Sequence, residues 1–367
     1  MTAGLPRIVP LSSQEPRQDW PRAAAQTFWY LEGYGAVART CREPNGYTAW
    51  MTPSATIQAR TFSGHESFPL RFTWLTKAVR GCEAKRNQDL FARPDAMVLL
   101  GVGKNMVRSI RFWAVNTGVL EDAGADGRTT HYRPSPLGAF LFGNDGHDPF
   151  IEDPATVWLL HWQLATRQSL GTWFWIFNEL REVEFHKATI IRDLQRTIQR
   201  DGGKPIATDT IERDVDCLLR TYVPSDPDKR LSREELLDCP LTELGLIRRG
   251  GDRDSFSFLR GDHDSLPDRV FAYAVLSFWD TVAPKSNSLR FEQIAFSPGG
   301  PGQVFKLTEN VTVDRLQGLA HLTDGVVRFD ETAGGRHLLR DRRADPLTQL
   351  RKNYTTTRKE ARFAGSR

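Results

Sequence analysis

A chain of 367 residues, 40% hydrophobic and 26% charged, is long enough for two or three globular domains with a substantial core. No apolar run approaches the roughly 20 residues that span a bilayer, and the first 20 residues hold no apolar signal core, so cytoplasmic residence is expected. Cys41, Cys82, Cys217 and Cys239 stand too far apart for a CxxC zinc site or a disulfide framework.

The net charge of +4 is unevenly spread. From Arg336 onward ten Lys/Arg face three acids, while the rest of the chain carries 39 bases and 42 acids. Such an end suits a polyanion partner, and a solvated tail explains it equally well.

In chain order, residues 1–60 hold six of the 21 prolines and little periodicity, which reads as a poorly ordered extension. At 62–71 the run FSGHESFPLR turns at Pro69, and Phe72, Leu75 and Val79 then predict a helix. His65 and Glu66, an imidazole beside a carboxylate, could bind a divalent cation or share a proton. The plainer reading has Ser63 or Ser67 capping the helix while Phe62 and Phe68 pack it. Arg71 and Lys77 can reach phosphate from this helix.

Residues 97–122, MVLLGVGKNMVRSIRFWAVNTGVLED, carry the strongest pattern. A helix ends at a turn containing Gly101 and Gly103, and a second helix runs from about Lys104 to Asn116 before Gly118. Val107, Ile110 and Ala114 form its inner stripe, flanked by Met106 and Trp113. Lys104, Arg108 and Arg111 share the opposite face, with Asn105 and Ser109 beside them. Val119 and Leu120 open a strand, residues 124–128 turn, and a strand carrying Arg133 returns. That order is a winged helix, so 61–148 reads as a winged-helix-like DNA-binding domain. The competing reading is an ordinary amphipathic helix with a solvated basic face.

Residues 149–285 read as a helical domain. Trp158, Trp162, Trp173 and Trp175 have apolar neighbours and read as core. A further helix covers 186–200. After a turn at 202–206, a helix capped by Thr208 or Asp209 presents the stripe Ile211, Val215, Leu218 and Leu219. This second helix-turn-helix-like segment is acidic, with Glu212, Asp214 and Asp216, which favours packing over entry into a DNA groove. Residues 286–345 have the proportions of a small winged-helix-like unit, and 346–367 form the basic tail. The expected fold is mainly α with small β hairpins, winged-helix-turn-helix units being set on a helical core.

No phosphate-binding loop, zinc finger, GxSxG elbow or convincing PD-(D/E)xK core is present. Asp262, His263 and Asp264 with Asp252 and Asp254, or Glu179, Glu182 and Glu184 with His186, could hold Mg²⁺ or Mn²⁺ but read more simply as solvated charge.

The runs at 62–71 and 100–113, with ELGLI (243–247) and the segment from Ser297 to Leu307, resemble the DUF4007 family over roughly residues 61–345. The resemblance implies a DNA-nicking component of a bacterial single-strand DNA phosphorothioation system. Such a component works beside a cysteine desulfurase, a sulfur-transfer protein and an ATPase in anti-phage defence, with no membrane involved. The site residues come from the reading above. Lys104, Asn105, Arg108 and Arg111 would contact double-stranded DNA, with Arg71, Lys77 and Arg133 on the phosphates. His65 and Glu66 would be the catalytic and metal residues of a nicking endonuclease using Mg²⁺ or Mn²⁺. The rivals are a non-enzymatic winged-helix DNA-binding adaptor or transcriptional regulator, and a scaffold whose winged helices serve protein assembly alone.

Overall fold

Two glycines and a hairpin shape the first described part of the chain. In this computed structural model the described residues are 60–84, 88–225, 239–252, 254–332 and 334–364. The expected extension at 1–60 lies outside them except for Arg60. Trp74–Glu83 (α1) buries Trp74, Leu75, Ala78, Val79 and Cys82. Ala96–Leu100 (α2) stops at Gly101, whose φ of 63° is the left-handed conformation a glycine tolerates best. Gly103 then caps Lys104–Asn116 (α3), which packs Val107, Ile110, Trp113 and Ala114 inward. Ser109, expected beside the basic face, is also buried.

Leu120–Asp126 (β1) and Thr129–Pro134 (β2) pair antiparallel from Leu120↔Pro134 to Asp126↔Thr129. The Tyr132 N–H donates to the Gln88 carbonyl at 2.8 Å, which ties this hairpin to the segment between α1 and α2. Ser135 caps Pro136–Phe142 (α4) by accepting from the Gly138 N–H. Gly138 is a close approach: a Cβ there would lie 1.9 Å from the Val119 carbonyl oxygen.

Pro154–Thr166 (α5) begins with Pro154 in its first turn and an Asp153 cap. It is buried on all sides, as a helix apolar all round must be. Trp158, Trp162, Trp173 and Trp175 are 0%, 4%, 0% and 6% exposed, so they are core. His161 also lies inside α5. The Tyr222 hydroxyl donates to its Nδ1 (2.9 Å), and its Nε2–H donates to the Val304 carbonyl (3.0 Å). Burial pushes the His161 imidazole down to about 3, so it is neutral. Gly171–Phe174 (α6) passes into a π-turn at Trp175–Glu179.

Two further runs share one topology. Glu184–His186 (β3), Lys187–Arg200 (α7), Thr208–Tyr222 (α8), Ile247–Arg249 (β4) and Ser255–Phe258 (β5) form the first, with strand order β3-β5-β4. Asp268–Val282 (α9) leads into the second: Ser288–Arg290 (β6), Phe291–Phe296 (α10), Pro301–Val304 (α11), Glu309–Leu322 (α12), Val327–Thr332 (β7) and Gly335–Arg340 (β8), with order β6-β8-β7. In each, the strand that precedes the helices pairs with the last strand of the hairpin that follows them. The stretch expected as a basic tail is the helix Pro346–Ala364 (α13), which buries Leu350 and Tyr354 one turn apart and packs along α9. The protein is thus mainly α with small antiparallel sheets of two or three strands. Among the described residues, no helix is long and apolar enough to cross a membrane.

Candidate nucleic-acid interface

Lys104, Asn105, Arg108 and Arg111 are all exposed on one face of α3, and the helix contains no acidic residue. The two helices in the corresponding place of the later runs differ. On α8, Lys187 bridges Glu212 (2.9 Å) and Asp216 (2.8 Å). On α12, Arg315 is consumed by Asp262 and Asp268, each at 2.8 Å. Of these three helices, α3 is the one with no acidic residue of its own.

The other expected phosphate contacts are partly engaged. Lys77 Nζ donates to the Leu100 carbonyl at 2.8 Å, closing the C-terminus of α2. Arg133 pairs with its cross-strand partner Glu121 at 2.7 Å. The Arg71 guanidinium lies 5.9 Å from the Phe68 ring and 5.5 Å from that of Trp74. Before the glycine turn, Met97, Val98 and Leu99 are exposed apolar residues.

The loop carrying His65 and Glu66 braces α3 from behind. Ser109 Oγ donates to the His65 carbonyl (3.0 Å), and Trp113 Nε1 donates to the Phe68 carbonyl (3.0 Å). Gly64, at φ 112°, faces Phe112 so closely that a Cβ would meet Cδ2 at 2.9 Å. Glu66 and Ser67 have φ of 49° and 64°, a left-handed backbone that non-glycine residues rarely adopt. What holds them there is His65, which is 3% exposed. The Ser67 N–H donates to His65 Nδ1 (3.0 Å). Nε2 must then carry the proton, and it donates to Asp214 Oδ1 of α8 at 2.7 Å. Thr172 Oγ1 donates to the other Asp214 oxygen, and Arg220 donates to the Ser67 carbonyl at 2.7 Å. Glu66 points the other way, and its carboxylate meets Arg108 on α3 at 3.5 Å. The two sequence runs at 62–71 and 100–113 therefore form one assembly.

Asp214, Thr172 and Arg220 were not among the expected site residues. A signal for Asp214 existed: it stands three residues after Ile211 and four before Leu218, a carboxylate on the buried stripe of its helix.

The site is thus a glycine turn, a cationic helix and a hairpin, on a mainly helical body with small sheets. Residues 62–354 match the DUF4007 family model, described as a protein of unknown function, and the chain belongs to that family. Among solved structures it resembles a magnesium ion-bound SspB, with 30% identity and a TM-score of 0.73 over 81% of this chain and 89% of that one. It likewise resembles an SspB crystal structure at 30% identity, with a TM-score of 0.72 over the same shares of both chains. No match is found among curated proteins.

The magnesium bound to that SspB raises the question of whether His65 and Glu66 fit such an ion here. They do not as arranged. Both His65 ring nitrogens are occupied, and no lone pair faces solvent. Glu66 is turned to Arg108. Among the described residues, no three His, Cys, Asp or Glu gather to hold a metal ion. That includes Asp262 to Asp264, and Glu179 to Glu184 with His186: Asp262 pairs with Arg315, and Glu179 with Arg60.

Proposed function

We propose that this protein is a DNA-binding component of a bacterial DNA phosphorothioation and anti-phage defence system, and that it grips duplex DNA with α3. On this reading α1 to β2 and the two strand–helix–hairpin runs are three winged helices, with α3 entering the major groove and the β1–β2 wing lying along the backbone. The carrying observation is the exposed set Lys104, Asn105, Arg108 and Arg111 on an acid-free helix, behind a glycine turn and ahead of a hairpin. Asn105 and the two arginines have the forked donors that read base edges, while Lys104 suits a phosphate. The link to phosphorothioation rests on the DUF4007 family and on the likeness to SspB. It carries the expected partners: the cysteine desulfurase, the sulfur-transfer protein and the ATPase.

Fluorescence anisotropy with a labelled duplex, titrated across NaCl concentrations, tests the reading. Arg108→Glu with Arg111→Glu should weaken binding by about 100-fold or more and lower the salt slope, because two cations at the DNA surface become anions. Wild-type affinity and slope in that variant would overturn it.

Two readings of the chemistry follow. Metal-dependent nicking of one strand is favoured by the magnesium-bound SspB. A non-enzymatic adaptor is favoured by the engaged state of His65. Supercoiled plasmid incubated with Mg²⁺, Mn²⁺ or chelator separates them. Open-circle product that needs the metal and vanishes in Glu66→Ala supports nicking; binding without product supports the adaptor.

A further inference from the structure

The basic C-terminal stretch is placed by its apolar residues. Leu350, Tyr354 and Gln349 are buried, at 0%, 2% and 3% exposure. The Tyr354 hydroxyl shares a hydrogen bond with Thr156 at 2.6 Å, and its ring meets Phe140 of α4 at 5.5 Å. Helix α13 is thereby built onto α9 and onto the helix that directly follows the β1–β2 hairpin. Its other face turns Thr348, Arg351, Lys352 and Thr355 outward. With Arg269 from the first turn of α9 they line an open hollow of about 320 Å³. Three cations and two hydroxyls face this hollow, and no carboxylate lines it.

Its geometry is partly fixed in advance. Arg269 is held by Gln349 Oε1 at 3.0 Å, and Lys352 meets the highly exposed Asp324 at its edge, also at 3.0 Å. Among the described residues Arg351 makes no ion pair, so its guanidinium charge is uncompensated. The hydroxyls of Thr348 and Thr355 already donate to Asp345 and to the Arg351 carbonyl, so the hollow's offer to an anion is the forked guanidinium donors of Arg351 and Arg269 beside the Lys352 ammonium, which suit the charge of a phosphodiester.

We infer that this hollow seats a backbone phosphate of bound DNA, a second grip beside the α3 surface. The inference rests on the DNA-binding reading. It adds that α13 is a phosphate track rather than a solvated tail, one that carries affinity without base preference.

The test uses the full chain and Arg351→Gln with Lys352→Gln. Both side chains are partly or fully exposed, and matched thermal unfolding confirms that the variant is folded. Anisotropy on a labelled duplex across NaCl concentrations should show the slope of log affinity against log salt falling by about 1, as for one phosphate, with affinity down about tenfold or more at 0.15 M salt. The loss should be equal for duplexes of unrelated sequence. Wild-type slope and affinity in this variant overturn the inference. A free-phosphate source is tested by calorimetry with inorganic phosphate and with ATP. Tight binding of either, abolished by the variant while the DNA slope stays put, also overturns it. Arg108→Glu with Arg111→Glu runs in parallel. If that variant loses DNA binding and Arg351→Gln/Lys352→Gln does not, only the second grip fails. If neither does, or if the wild type does not bind DNA, the DNA-binding reading fails with it.

Discussion

Replacing His65 separates a positioning role from a proton-transfer role. The Asp214 side chain is 1% exposed and is satisfied by His65 Nε2 at 2.7 Å and by Thr172. In His65→Ala the carboxylate keeps one donor and loses the other. Leaving a buried charged acceptor short of a donor costs about 3 kcal/mol. For a chain of this size each kcal/mol shifts the melting temperature by roughly 1.3 °C, so His65→Ala should melt roughly 4 °C lower. The loss should spread to α3, because the left-handed backbone of Glu66 and Ser67 is pinned by the same residue. His65→Gln differs: its amide can still donate to Asp214, so only the Ser67 bond is lost, at about 1 kcal/mol. Circular-dichroism melts and DNA anisotropy read both variants. A positioning residue gives an unstable Ala variant and a Gln variant that is stable and binds DNA. The reasoning is refuted by an Ala variant that melts within 2 °C of wild type. It is equally refuted by a stable, DNA-binding Gln variant that has lost a nicking activity present in the wild type.

Other expectations follow from close contacts and burial. Gly138→Ala should cost about 3 kcal/mol or more, because its Cβ would sit 1.9 Å from a backbone oxygen that cannot retreat without unseating the start of the wing. Gly318→Ala, on an open face of α12 with nothing within 4 Å, should stabilise by about 0.5–1 kcal/mol, and urea melts compare the two. His161 gives a pH signature. Its folded value, about 3, lies below the ordinary 6.5, so the unfolded chain binds the proton first. The contribution is complete above about pH 6.5 and is lost as pH falls toward 3, reaching about 2 kcal/mol at pH 5. The stability difference between wild type and His161→Gln, from urea melts at pH 7.5 and pH 5, should shrink by that amount. An unchanged difference would mean that His161 is not buried neutral.

Much of this architecture was legible because local rules and tertiary packing agree. Gly101 and Gly103 mark the turn, the stripe through Val107, Ile110 and Ala114 marks the buried side of α3, and the apolar neighbours of Trp158 and Trp162 mark α5 as core. What stayed hidden depends on contacts far apart in sequence. His65 and Asp214 are separated by 149 positions, and nothing near either residue shows which of the chain's many acids the imidazole will meet. Ser109 looked like part of a polar face, yet it lies on the boundary where the 62–71 loop packs. Helix α13 was read by its charge, although Leu350 and Tyr354, four apart, carry the signal that fixes it to α9. Charge decides what a surface attracts; the apolar spacing beneath it decides whether that surface has a fixed shape.

The part from α1 to β2 and the first strand–helix–hairpin run differ in charge, and the buried pair joins them. Helix α8 carries Glu212, Asp214 and Asp216, a poor complement to DNA. Asp214, however, is turned inward to His65, and Glu212 and Asp216 share Lys187. The buried acid of α8 thus acts as the mount for the loop that supports the basic helix α3. Because α3 is held through Ser109, Phe112 and Trp113 while Lys104, Arg108 and Arg111 stay exposed, its cations stand on a backbone already fixed in place. Less ordering entropy is then lost on binding, which favours affinity without further contacts. Weakening the mount at Asp214 should therefore reduce DNA affinity even though Asp214 touches no DNA. Restoring a donor–acceptor pair there, as His65→Gln does, should recover it.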